Sequence, residues 1–323
     1  QAEVESAFNP LGHTFKRNAT RECFMSHQNL GFAPIRVDSA NDFHIVIGTG
    51  GELAKLDLNL NKIGETVRPF PSPVTSSTIV DGNWVGTWVE REFKLARMAA
   101  IPLNSDWMEG EGRSSLRTLE GRKSLHPVGN QWSHIVDAEP LALTNIDGKL
   151  FFASMNKGIY CINADANEIW RNEYPSWSTI NNMKIADSII SFSECEEGVS
   201  VWSSAGGVQI HDKNGEVLSK LSMRFPEKIS NVNYDKKLGW FISLEGSKFA
   251  TFDNIGDEPN IHSIPGPIYD VVVRKNKWIW TGWRHDGEKS EENVRTVPRG
   301  QIGIAIIRDL VLTNDGEFDN FGA

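Results

Sequence analysis

The sequence predicts an all-β fold, a β-propeller whose four-stranded blades stand around a central axis. Three observations predict it: a recurrent unit with a near-constant step, period-2 alternation of β-branched and aromatic residues, and glycine or Asp-Gly at the turns. The second strands of six copies begin near positions 43, 83, 149, 199, 238 and 277, at steps of 40, 66, 50, 39 and 39. Repeats of about 40–45 residues with four short strands bury both faces of every sheet when the sheets stack radially. Six blades are counted in this way. Residues 1–30 and the tail from Leu310 to Ala323 are left over; they complete the sixth blade by pairing the termini, or make a seventh. The whole chain, 1–323, reads as one propeller domain, with 1–30 an N-terminal extension or ring-closing segment.

The copies follow in order. Phe43 to Gly48 is a β-rich run, Thr49-Gly50-Gly51 a tight turn, and Leu53 to Asp57 the next run. Asn83 to Trp88 follows the turn Asp81-Gly82, a dipeptide suited to the left-handed conformations of a two-residue hairpin. Leu150 to Ser154 turns at Asn156-Lys157-Gly158 into Ile159 to Asn163, and Val199 to Ser203 turns at Ala205-Gly206-Gly207 into Val208 to Asp212. Leu238 to Ser243 turns at Glu245-Gly246 into Lys248 to Asp253, and the sixth copy opens on the Trp-rich run Lys277 to Trp283. Trp84, Trp88, Trp202, Trp240, Trp278 and Trp280 fall on strand patterns and are expected to pack between blades.

Two stretches carry a resemblance. Gly158 to Arg171, with Tyr160-Cys161-Ile162-Asn163 before a turn and Trp170 after it, resembles the repeat of PQQ-like (quinoprotein-type) propellers, and Gly207 to Val217 resembles the same element without its Trp. The match covers two blades well and the others loosely. It implies a superfamily that also takes in WD40-like and outer-membrane-assembly scaffold propellers, many of them cofactor-free binding platforms. The vicinal cysteine pair of a quinone pocket is absent, and so is the Gly-His and Trp-Asp frame of a WD40 blade.

Composition excludes several classes. The 323 residues carry 33 basic and 42 acidic side chains, a net charge of −9, with no basic stripe of the kind that binds nucleic acid. The longest apolar stretch, around Ile302–Ile307, is far shorter than the roughly 20 residues of a membrane span. Cys23, Cys161 and Cys195 form no CxxC pair, which argues against a disulfide framework and favours a reducing, cytoplasmic compartment. A chain starting at Gln1 leaves export open, and Asn18-Ala19-Thr20 reads as a chance glycosylation sequon. No GxSxG, HExxH or P-loop occurs, and the eight histidines show no ligand spacing. No catalytic residue, cofactor or metal site is assigned. Calcium is the one ion the acidic turn Glu194 to Glu197 would suit, and it lacks the DxDxDG spacing that builds a coordination shell.

In an up-and-down meander the second-to-third turn and the link to the next blade emerge on one face. Two long segments are expected there: 105–137, between blades two and three, and 284–300, as the second-to-third turn of blade six. Trp107, Arg113, Arg117 and Trp132 lie in the first, His285 and Arg295 in the second, Trp283 beside it, and Trp177 in the link from blade three to four. Trp and Arg are common anchors of recognition surfaces, so these eight are the candidate partner-binding residues. The reading they support is a non-enzymatic scaffold that presents aromatic and charged loops to a protein partner. The alternatives are a hydrolase or lactonase using Asp106, Glu109, Glu111, Asp286 or Glu288, and a carbohydrate-binding lectin.

Overall fold

The computed structural model describes residues 29–322 except 119, 121–123, 184–185 and 292. Blade one is β1 (Pro34–Ser39), β2 (His44–Gly48), β3 (Leu53–Leu56) and β4 (Lys62–Val67); blade two is β5 (Val74–Val80), β6 (Asn83–Glu90), β7 (Leu95–Pro102) and β8 (Trp132–Ile135). Blade three is β9 (Pro140–Ile146), β10 (Lys149–Ser154), β11 (Gly158–Ile162) and β12 (Glu168–Asn172); blade four is β13 (Ile189–Cys195), β14 (Gly198–Ser203), β15 (Gly207–His211) and β16 (Val217–Ser222). Blade five is β17 (Ile229–Asp235), β18 (Gly239–Leu244), β19 (Lys248–Phe252) and β20 (Asn260–Ser263); blade six is β21 (Ile268–Arg274), β22 (Lys277–Gly282), β23 (His285–Lys289) and β24 (Val294–Pro298). Blade seven holds β25 (Gly303–Ile307), β26 (Leu310–Thr313) and β27 (Phe318–Asn320). Each sheet is an antiparallel meander in sequence order. A helix, α1 (Ser178–Met183), sits in the link between blades three and four.

Seven blades therefore stand where six were counted. The seventh was hidden because its second strand, Leu310–Thr313, has four residues and begins 33 after Lys277, short of the 39-residue step. The ring closes through both ends of the described chain. The Leu30 N–H donates to Gly316 O at 3.1 Å, and Leu30, Val46 and Leu56 share an apolar cluster with Ile307 and Leu312. Residues 1–28, to which a ring-closing role was also given, lie outside the described residues.

Radial stacking explains the composition of the strands. A second strand is covered by a blade on either side, so β2, β14, β18 and β22 are buried almost throughout, whereas the fourth strands β4, β16 and β20 are mostly exposed or half-buried. The core falls into seven clusters, one per pair of neighbouring blades. The six strand tryptophans are 0–3% exposed, and Trp202 of blade four meets Trp240 of blade five at 5.2 Å between ring centroids. Burying such a ring is worth about 2–3 kcal/mol in transfer terms alone.

The turns repeat too. Asp57, Asn163 and Asp212 open the third-to-fourth turns of blades one, three and four; in each the side-chain Oδ1 accepts the N–H groups two and four residues on. The fourth turn residue is left-handed: Leu60, Ala166 and Gly215 have φ of 64°, 64° and 90°. This is the physical content of the Asp-or-Asn ending that marked the repeat.

Both long segments differ from expectation. Residues 105–137 are not an inter-blade link: they form an insertion between β7 and β8, with 132–135 as the outer strand of blade two. The insertion crosses the outside of the blade, with Gly110 N–H on Arg68 O and Val128 N–H on Pro69 O, and it buries Leu116 and Leu125 in the core between blades one and two. Residues 284–300 are mostly the hairpin β23–β24. Their polar sequence hid both strands: the outer β24 needs little apolar content, and in the buried β23 the polar His285 and Asp286 find partners in Trp283 O and in Arg299 and Thr281.

Candidate functional site

Every innermost strand slips register once, near its start, next to the link that enters the blade. Such a bulge inserts an extra residue and re-aims its side chain. The positions involved are Ile35, Thr75, Ala142 with Leu143, Ile190, Ser230, Tyr269 and Ile304, and the innermost strands neighbour one another around the channel, β25 against β1 included. These residues thus ring the channel mouth on the face of the second-to-third turns. Ile35 is 42% and Tyr269 45% exposed. Trp283, in the second-to-third turn of blade six, is 49% exposed; its backbone N–H donates to Pro267 O at 2.9 Å, and its side chain stands over Gly266. Blades six, seven and one therefore carry Trp283, Tyr269, Ile304 and Ile35 on one arc of one face.

Several carboxylates of that face are paired. Glu52 holds Arg68, Glu139 accepts from Arg91 at 2.6 Å, and Glu90 and Glu92 accept from Arg113 at 3.0 and 3.2 Å. Burial pushes the Glu52 carboxyl up, but the N–H groups of Glu52 and Gly50 and the Arg68 guanidinium outweigh it and hold the group below its ordinary value. Asp286 is buried with Arg299, whose Nη2 approaches to 2.6 Å; Thr281 and the Gly322 N–H complete its shell. Asp286 is a structural anion, so its proposed pairing with Glu288, which faces Lys277, has no free base. Burial pushes the Cys161 and Cys195 thiols up to about 11, far from a neutral-pH nucleophile. Among the described residues no group of three or more His, Cys, Asp and Glu is placed to hold a metal ion.

The eight candidate residues separate. Trp107 is half-buried, donates to Pro102 O at 3.0 Å and lies 5.9 Å from Trp84 beneath the Lys55 ammonium at 5.1 Å. Trp132 donates to Ala164 O at 2.7 Å and joins the core between blades two and three. Trp177 is buried and donates to Val208 O at 3.1 Å. His285 is buried, with Nδ1 on Trp283 O at 3.1 Å. Arg113 pairs with Glu90 and Glu92, and Arg117 and Arg295 are exposed, Arg295 opposite Glu288. Only Trp283 combines an aromatic ring with exposure. Sequence reasoning missed Tyr269 and Ile35; the available signal was the break of alternation at the start of each first strand, as in Pro34-Ile35-Arg36-Val37.

No family model matches this chain, and no curated protein sequence matches it. Solved structures do. A streptogramin B lyase superposes with a TM-score of 0.60 at 12% identity, covering 90% of this chain and 92% of the other. The virginiamycin B lyase of Staphylococcus aureus gives 0.61 at 13%, over 91% and 96%. BamB of Moraxella catarrhalis gives 0.51 at 9%, over 88% and 82%. At these identities the likeness shows the seven-bladed propeller fold and carries no activity with it.

Proposed function

We propose that this chain is a protein-interaction scaffold that binds its partner through the face bearing the second-to-third turns, at the arc of Trp283, Tyr269 and Ile35. The observation that carries this reading is the placement of exposed apolar residues on a rigid rim, several of whose carboxylates are already paired. Strands fix Tyr269 and Ile35 and a two-residue turn fixes Trp283, so little ordering entropy is lost on contact, and aromatic anchors are where interface energy concentrates. The buried free thiols fit a reducing compartment. No helix of the described residues is long and apolar enough to cross a membrane, so a role at a membrane would come through a partner or a segment outside them.

The test is affinity isolation of the tagged native protein and of Trp283→Ala/Tyr269→Ala, with mass spectrometry of what accompanies each. A stoichiometric protein that is lost from the double variant, at an unchanged melting temperature, is the expected result. Retention of the same protein by the variant overturns the assignment of this face. A melting temperature that rises with added Ca²⁺, with no protein recovered, would turn the reading towards chemistry at the carboxylates.

A further inference from the structure

A second feature of the same face specifies what kind of segment the partner presents. Between α1, the second-to-third turn of blade four and the link 223–228 lies an open pocket of about 360 Å³. Its floor is apolar: Ile180 and Met223 are 3% and 7% exposed, and Phe225 and Pro226 form the wall. The volume suits one bulky aliphatic or aromatic side chain rather than a cofactor.

The rim is basic on a chain of net charge −9. Arg224 is exposed and Lys228 half-buried, and among the described residues neither has a carboxylate within ion-pair distance. The one carboxylate lining the pocket, Glu227, is spent: it holds Lys248 Nζ at 2.6 Å and accepts the Gly246 N–H at 3.0 Å. Nearby, Lys220 lies over the Trp177 ring at 5.7 Å. An apolar floor under unneutralised cations complements an apolar side chain flanked by negative charge, and disfavours a basic segment by like-charge repulsion.

We propose that this pocket receives a leucine- or phenylalanine-sized side chain from an extended segment of the partner protein, with carboxylates on either side facing Arg224 and Lys228. The proposal rests on the scaffold reading and adds the chemistry of the partner to it.

A capped pentapeptide, phenylalanine between two pairs of glutamates, tests it against the full chain by calorimetric titration and by amide shifts in the labelled protein. Saturable binding with shifts confined to the lining of this pocket is expected, weakened at least fivefold in Arg224→Glu/Lys228→Glu, and absent for the same peptide with alanine at its centre. Equal binding of a lysine-flanked peptide, indifference to the double charge reversal, or no saturable binding overturns the proposal. Arg224 is exposed and Lys228 half-buried, and melting curves check that the variant is folded. The two readings fail separately. Peptide binding that survives Trp283→Ala/Tyr269→Ala, with partner capture unaffected by that variant, sinks the arc and keeps the pocket. Partner capture without peptide binding does the reverse.

Discussion

At the scale of single residues, burial decides which of the aromatic and charged side chains is available for recognition. Trp107 shows the difference. Its sequence neighbourhood is polar, yet its indole closes the core between blades one and two and supports the Lys55 ammonium, which donates to Leu103 O at 2.6 Å and Ser105 O at 3.1 Å. Burial lowers the pKa of this lysine, the usual consequence of removing an ammonium from water. Trp107→Ala should cost about 2–3 kcal/mol, from lost transfer energy plus the cavity left behind, and chemical denaturation would register it as a lower midpoint. An unchanged midpoint would return Trp107 to the list of surface anchors. Trp283, with half its surface open, should show the opposite behaviour.

Individual turns hold the blades to their neighbours, and here a glycine has a geometric reason. Gly51 has φ of 90°, and a Cβ there would lie 2.6 Å from the Ser72 carbonyl oxygen in the link to blade two. Gly51→Ala should therefore destabilise by about 1–3 kcal/mol, well beyond an ordinary surface substitution; thermal melting of the variant measures this directly. The same scale shows why some elements were legible in the sequence and others not. Second strands, sandwiched on both faces, must be apolar or aromatic and announced themselves in six blades. Asp57, Asn163 and Asp212 marked third-to-fourth turns because only an Asp or Asn oxygen serves both turn amides there. The outer strands β8 and β24 need no such content: Trp132–Ile135 and Val294–Pro298 are half-buried or exposed, so 105–137 and 284–300 read as loops. The proposed recognition arc was almost illegible, since Tyr269 and Ile35 reach one face, with blade seven between them, through ring closure, which leaves no local motif, and through a slip of register whose only trace is at the start of each first strand.

For the molecule as a whole, seven separate inter-blade cores in a closed circle make stability depend on every interface at once. Blade seven is fastened to blade six by Arg299, which joins Asp286 at 2.6 Å, Asp319 at 2.8 Å and Asn320 O at 2.6 Å. Titration acts on the ring globally. Burial lowers the pKa of His44, with Arg308 adding to it, of His211, and of His262, with Lys289 adding to it. A histidine whose folded pKa is depressed stays neutral while the unfolded chain already binds a proton. Its penalty is thus absent above the ordinary value near 6.5, grows as pH falls below it, and levels off beneath the folded pKa. Glu52, Asp57 and Asp212, held low by their hydrogen bonds, add losses in the carboxylate range. Asp270 works in the other direction: burial outweighs the Ile306 and Val271 amides and raises its pKa, so it favours the fold at acid pH. With four such histidines, His126 included, against one raised carboxyl, the melting temperature should be flat from about pH 8 to 7 and decline steadily towards about pH 5. A melting temperature that rises on acidification over that range would contradict these assignments.

The slipped register of the innermost strands has a further effect. An innermost strand is one free border of its sheet, and an unbroken row of amides and carbonyls along such a border is a template on which a foreign strand can grow. In all seven blades an extra residue interrupts the row just inside the mouth of the channel, twisting it out of register with any straight visitor. Strand addition at the axis is thereby hindered at the mouth of the channel. The outer circumference carries interruptions of the same kind: in β16 the extra residue is Leu218, between Val217 and Ser219, and Val217 and Leu218 are each 51% exposed.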